Sequence, residues 1–227
     1  MDFLPTNAQT KLKISHFQNW KVFSFCKRNK YLISVLRAGE KMVKLLGIVG
    51  SPRKGGNTET MMREVLKAGE QEGAETELMH LTDFDLKPCD GCRTCFETKN
   101  CVIKDDVEKI FEKIAKADGI IVGSPVYFYS INAQTKMFIE RVGYLNMARG
   151  RKAFRNKIGG AVAVAGSSGL ENALSQIMMF LAASRMIIAT PVVMALGEAA
   201  KYTRGIKDAR AVGKSMVQIA KATTSLR

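Results

Sequence analysis

From residue 42 onward the apolar positions fall into two alternating periods. LLGIVG (45–50) is a short apolar run closed by glycine. It is too short for a buried helix and reads as an interior strand of a parallel sheet. Thr58 to Gly73 places Met62, Val65 and Leu66 on one face of an amphipathic helix, and ETELMHL (75–81) predicts a second strand. After a cysteine-bearing loop, Asp105 opens a helix as N-cap, with Glu108 at the third helical position. Val107, Ile110, Phe111 and Ile114 give that helix its apolar stripe. GIIVGSP (119–125), a helix over 132–145 and GGAVAVAG (159–166) follow. A helix carrying Leu174, Ile177, Met178 and Leu181 comes next, then MIIATPVVMAL (186–196) and a closing helix with Val212, Met216 and Ile219. Five strands alternating with helices predict an α/β fold, a doubly wound five-stranded parallel sheet with helices on both faces. The cysteine-rich insertion loop, 88–102, comes after the second strand. Such sheets bind ligands at the carboxyl ends of their strands, near the switch in strand order.

Residues 1–41 break the pattern. They hold eight Lys/Arg and two acids, a net of +6 out of the chain's +14, and show no sustained period. Ala38-Gly39-Glu40 can be encoded by a ribosome-binding core just ahead of the Met42 codon. The expectation is that Met42 is the natural start and that residues 1–41 are not native or are a disordered basic extension. The alternative is a basic arm that docks on a partner. The folded domain is then 42–227, where the length suits one α/β domain.

Charge and composition narrow the partners. A positive field favours acidic partners: nucleic acid, an acidic electron-transfer protein or a phosphorylated cofactor. No apolar run reaches the length of a membrane span and no signal-peptide pattern opens the chain, so a reducing cytoplasm is expected and no membrane partner. There, clustered cysteines are metal ligands or catalytic groups more often than disulfides.

Three strand ends carry candidate chemistry. GSPRKGGNT (50–58) has the glycine spacing of a nucleoside-triphosphate loop, Gly50 and Gly55, but Gly56-Asn57 stands where Lys-Ser/Thr is required. What remains suits a phosphate monoester: hydroxyls of Ser51 and Thr58, the guanidinium of Arg53, and loop amides at a helix start. GSPVYFYSINA (123–133) sets Tyr127, Phe128 and Tyr129 after a buried strand. GSSGLEN (166–172), with Gly166 and Ser167, is small enough for backbone to approach a flat ligand. Cup, aromatic shelf and glycine-rich wall together suit FMN.

Four of the five cysteines lie within PCDGCRTCFETKNC (88–101). Cys89, Cys92 and Cys95 repeat at spacing three, and Cys101 follows six residues on. Zinc ribbons hold two separated C-x2-C pairs, whereas one continuous C-x2-C-x2-C turn wraps a cubane whose irons need thiolates from several directions. A 4Fe–4S cluster is the leading reading; zinc, or thiols that hold no metal, stay open. His16 and His80 are the only histidines, and His80 reads as a structural side chain. No Ser–His or Cys–His pair is available, so no catalytic residue is assigned and the cofactors would carry the chemistry. The basic run RGRKAFRNK (149–157) reads as a solvated loop, or else as a dock for an acidic ferredoxin.

GIVGSPRKGGNT, the C-x2-C-x2-C-x5-C loop and GSPVYFYSINAQTKMFIER together resemble the NAD(P)H-dependent FMN reductase superfamily, and within it the iron–sulfur flavoproteins. The resemblance runs from about residue 43 to 200 and implies a flavodoxin-like fold. It implies that Ser51, Arg53, Asn57 and Thr58 hold the FMN phosphate, with Gly56 in the same loop. Pro125, Val126, Tyr127, Phe128 and Asn132 would line the ring and ribityl chain. Tyr129 stands where many relatives have Gly, and Ser167-Ser168 where relatives often carry Arg. The implied activity is oxidoreductase: electrons pass between a 4Fe–4S cluster and FMN. The donor would be a ferredoxin-like protein or NAD(P)H, and the acceptor small, such as oxygen, peroxide or quinone. A homodimer or homotetramer is expected. The alternatives are an FMN or quinone reductase with no working cluster, and a zinc-knuckle nucleic-acid binder. The flavin loop and the lack of basic–aromatic interleaving argue against nucleic acid.

Overall fold

The computed structural model describes residues 42–226. The expectations placed on residues 1–41, and His16 among them, lie outside the described residues.

The elements run β1 (Lys44–Val49), α1 (Asn57–Gln71), β2 (Glu75–His80), α2 (Thr94–Thr98), α3 (Val107–Lys116), β3 (Gly119–Tyr127) and β4 (Ser130–Ile131). They continue with α4 (Ala133–Ala148), β5 (Ile158–Ala165), α5 (Leu170–Ala183), β6 (Ile187–Ile188), β7 (Val193–Leu196) and α6 (Thr203–Ala222). The sheet order is β2-β1-β3-β5-β6, every one of these pairings parallel, and β7 also lies parallel on β5. The chain therefore winds outward one way from β1 to β2 and the other way through β3 and β5. The switch lies between β1 and β3, where the carboxyl ends open a crevice.

Period-two alternation along β1 divides the core between the two faces. Leu46 and Ile48 join one cluster with Val107, Ile110, Ile114, Phe138 and Phe154, under α3, α4 and α5. Leu45 and Val49 join the other with Met61, Met62, Val65, Val212 and Met216, under α1 and α6. Helices thus cover both faces, as the flavodoxin-like reading requires. The close approach of α1 and α6 needs a glycine: a Cβ at Gly213 would stand 2.1 Å from the Val65 carbonyl oxygen.

Three local expectations are corrected. The strand read as 186–196 is split into β6 and β7, because Pro191 between them has no N–H to give the ladder. The helix expected to open with Asp105 as N-cap starts at Val107 with Asp106 as its cap position. Asp105 does accept the Val107 amide at 3.1 Å, but its carboxylate is mostly engaged with Arg141. The stretch after β3 turns back as an antiparallel hairpin with β4, pairing Val126 with Ile131 and Tyr127 with Ser130.

Candidate functional site

Hydrogen bonds within the protein hold the loop after β1 in shape. Gly50 donates to the Gly123 carbonyl at 2.8 Å, joining the ends of β1 and β3. A Cβ at Gly50 would fall 1.9 Å from the Thr135 hydroxyl, so only glycine fits this corner. The Ser51 hydroxyl accepts the Arg53 amide at 3.1 Å. Gly55 takes a left-handed backbone (φ +70°), and its amide donates to Glu59 at 2.6 Å. Lys54 pairs with Asp83. Gly56 then caps α1 with no side-chain hydrogen bond, which leaves the first amides of a 15-residue helix without an internal acceptor. An uncapped helix start beside buried Ser51 and Thr58 offers amides and hydroxyls of the kind that stabilise an anion. The Arg53 guanidinium is exposed beside it.

Behind the loop stands a pair that the sequence did not reveal. Glu59 is buried, as is His80, whose Nε2 lies 3.2 Å from the Glu59 carboxylate; Arg63 Nε donates to the other Glu59 oxygen at 2.8 Å. Burial opposes ionisation of Glu59, yet the Gly55 amide, Arg63 and His80 together hold its pKa below the ordinary carboxylate range. The one available signal was the acid in the first turn of α1. His80, read from the sequence as a structural side chain, meets the same Glu59 carboxylate that accepts the Gly55 amide of the loop.

One cleft of about 360 Å³ gathers Ser51, Arg53, Gly56, Asn57, Thr58, Pro125, Val126, Tyr127 and Gly166. Val164, Ala165 and Gly197 complete its wall, and Gly197 was not foreseen. Asn57 ties that wall to the loop, donating to the Gly197 carbonyl at 2.7 Å and accepting the Ala199 amide at 3.3 Å. Three expected residues stand elsewhere. Phe128 sits at the tip of the β3–β4 hairpin, 96% exposed, and Ser167 is not part of the wall. Asn132 is 1% exposed beneath the site. Its side chain caps α4 by accepting the Thr135 amide, and donates to the Gly50 carbonyl at 2.6 Å. Phe128 and Tyr129 both carry positive φ (45° and 66°) in a turn that glycine or asparagine would prefer. Of the expected aromatic shelf, Tyr127 lines the cleft, and Phe128 and Tyr129 form the turn that follows it.

The cysteines form a second site. Cys89, Cys92, Cys95 and Cys101 all line a cavity of about 340 Å³, with Gly91, Phe96 and Tyr144 among the other walls. Left-handed backbone at Gly91 (φ 74°) and Arg93 (φ 63°) turns the chain between successive cysteines. All four are free thiols. Burial raises the Cys95 thiol above its usual range, and the neighbouring Cys101, Cys92 and Cys89 add to the shift. Among the described residues no three Cys, His or carboxylate groups converge tightly enough to hold a single metal ion. Four thiols around a roomy cavity fit a multi-atom cluster better than a lone tetrahedral zinc, whose sulfurs would close on it.

The neck of this loop holds a buried ion pair, also missed in the sequence. Arg141, from α4, bonds both carboxylate oxygens of Asp105, at 2.5 and 3.0 Å. It also donates to the Lys87 carbonyl at 2.6 Å and to Cys101 Sγ at 3.2 Å. Two turns on, Arg149 bonds Glu108 and the Lys99 carbonyl and lies 4.6 Å over the Phe111 ring. The run 149–157 is thus partly anchored rather than a wholly solvated loop, with Phe154 fully buried in it.

The family model described as NADPH-dependent FMN reductase matches residues 43–201. An iron–sulfur flavoprotein of Methanocaldococcus jannaschii is 41% identical over 192 residues, covering 79% of this chain and 98% of its own. An iron–sulfur flavoprotein of Archaeoglobus fulgidus is 32% identical over 82% of this chain and 99% of its own. Among solved structures, RosB bound to 8-demethyl-8-formylriboflavin-5′-phosphate superposes with a TM-score of 0.68 at 17% identity, covering 81% of each chain. A flavodoxin from the domain Archaea superposes with a TM-score of 0.57 at 17% identity, over 79% of this chain and 99% of its own. The chain belongs to the NADPH-dependent FMN reductase family and, within it, to the iron–sulfur flavoproteins.

Proposed function

We propose that this FMN-dependent oxidoreductase binds FMN in the 360 Å³ cleft and a 4Fe–4S cluster on Cys89, Cys92, Cys95 and Cys101, and passes electrons between them. The observation that carries the reading is that one helix serves both sites: α4 is fixed to the phosphate loop through Asn132 and Gly50, and to the cysteine cavity through Arg141 and Cys101. Nine residues at the helical rise separate these anchors, about 13 Å. When bound, FMN supplies two-electron exchange with single-electron release, and the cluster supplies single-electron transfer.

The chain's own work is binding and orientation. The free amides at the start of α1, with Ser51, Thr58 and Arg53, take the phosphate dianion. Pro125, Val126, Tyr127 and Gly166 flank the flat ring, and Asn57 holds the Gly197 wall at its side. Asn132 supports the loop from below and Gly56 leaves the helix start open, while Phe128 and Ser167 directly follow the cleft residues Tyr127 and Gly166 in the chain. The donor is a ferredoxin-like protein or NAD(P)H, and the acceptor a small molecule such as oxygen, peroxide or quinone. No helix among the described residues is long and apolar enough to cross a membrane. Clustered cysteines that serve as metal ligands suit a reducing cytoplasm, and a homodimer or homotetramer is the expected assembly. Iron, acid-labile sulfide and FMN, counted per chain in anaerobically purified protein, test the reading. Four irons, four sulfides and one FMN support it. One zinc, or no metal, leaves a flavin reductase without a cluster.

A further inference from the structure

Arg141 is almost wholly buried, and so is Asp105, their side chains 1% and 0% exposed. The pair sits at the neck of the cysteine loop. Besides Arg141, the Asp105 carboxylate accepts the Lys87 amide at 2.9 Å and the Val107 amide at 3.1 Å, so the loop's two ends are tied through one carboxylate. Closure of the neck is complete with those bonds and the Lys87 carbonyl. The contact of Arg141 Nη2 with Cys101 Sγ, at 3.2 Å, is a further bond, made to a cysteine of the loop rather than to its neck. A neutral thiol is a weak acceptor, whereas a metal-bound thiolate is a strong one. A buried guanidinium that gives a donor to sulfur is therefore matched to a sulfur carrying negative charge.

We propose that Arg141 is a positioning residue of the cysteine site, holding Cys101 in place as a ligand and making the bound cluster easier to reduce through its fixed positive charge. The inference rests on the cluster reading above. Reduction adds one electron to the four-iron core, supplied in the test by dithionite. No bond forms or breaks, and the guanidinium keeps its proton throughout. The extra negative charge is spread over core and thiolates, so a donor on one thiolate stabilises the reduced form more than the oxidised one. Asp105 opposes this by neutralising part of the guanidinium's field.

The two groups therefore predict opposite shifts. Arg141→Lys keeps a charge for Asp105, but its single ammonium cannot reach Asp105, Lys87 and Cys101 together. The cluster's midpoint potential falls, with about tenfold less reduced cluster at a fixed potential, about 59 mV for a one-electron couple. Asp105→Asn keeps the shape of the pair and removes the opposing charge, so the midpoint rises. Potentiometric titration followed by the EPR signal of the reduced cluster reads both shifts. FMN titration of the separate cleft reports that each variant is folded, and iron and sulfide counts report loading. Shifts of opposite sign in folded, loaded variants, or Arg141→Lys losing iron while still binding FMN, establish the role. Unchanged midpoints, or shifts of the same sign, overturn it. If Arg141→Lys fails to bind FMN, the Asp105→Asn shift alone decides, a rise in favour and no change against. Wild type without iron and sulfide overturns the cluster reading itself, a result distinct from either variant outcome.

Discussion

Replacing Asn132 with alanine removes the node that joins the phosphate loop to the rest of the domain. Its Oδ1 caps α4 by accepting the Thr135 amide and hydroxyl, and its Nδ2 donates to the Gly50 carbonyl at 2.6 Å, all in a site 1% exposed. Losing an N-cap costs about 1 kcal/mol. Leaving the buried Gly50 carbonyl without its donor costs about 1–3 kcal/mol more. Asn132→Ala should therefore destabilise the FMN-free protein by about 3 kcal/mol, and lower the midpoint of thermal unfolding by about 6–12 °C at this size. Asn132→Ser restores the cap but cannot reach Gly50, and should recover about 1 kcal/mol of the loss. Urea unfolding of the three FMN-free proteins reads these values, and FMN titration shows affinity falling in the same order. If Asn132→Ala unfolds within about 0.5 kcal/mol of wild type and binds FMN equally well, the rivet between Gly50 and α4 contributes nothing.

Other outcomes follow from the same geometry. Arg53→Ala should weaken FMN binding by about 1.5–3 kcal/mol, roughly tenfold to a hundredfold, in titrations of FMN-free protein; unchanged affinity would put the phosphate elsewhere. Glu59 has a folded pKa below its ordinary value of 4.5, so its ionised form adds stability that is present above that value and lost as pH falls through the lower folded pKa. Glu59→Gln should then lose about 1.5–3 kcal/mol at neutral pH and show a flatter acid limb in denaturation measured from pH 7 to pH 3; an acid limb like that of wild type would contradict this. A chain beginning at Met42 should fold and bind FMN as the full chain does, since the family match starts at residue 43 and the described sheet closes on residues 44–196. Aggregation or loss of flavin in that chain would assign residues 1–41 a structural part.

The sheet was legible because its signal is local. Apolar runs ended by glycine mark β1, β3 and β5, and the intervening 3.6-residue stripes mark the helices. β6 and β7 read as one strand because periodicity does not register the donor that Pro191 withholds. The cysteine array and the glycine-rich loop after β1 stand out for the same reason, as their residues are neighbours in sequence. Arg141 and Asp105 were not, because 36 residues separate two groups that meet only through the fold. Glu59 and His80 meet across α1 and β2 in the same way. Asn132 was assigned to the right strand end but to the wrong side of it: a capping residue and a lining residue look alike in sequence. Only burial distinguishes them.

The central claim is that the four cysteines feed electrons to a flavin held elsewhere in the chain, and Cys95→Ser tests it most directly. None of the cleft residues is a cysteine, so the variant should keep one FMN per chain while its iron and sulfide fall toward zero. Rapid-mixing anaerobic reduction of wild type and variant by a reduced ferredoxin, followed at the flavin absorbance, then measures the route. The account predicts a large loss of rate in the variant, with any direct reduction by NAD(P)H unaffected. An iron-free variant whose flavin is reduced by ferredoxin as fast as the wild type's would contradict it.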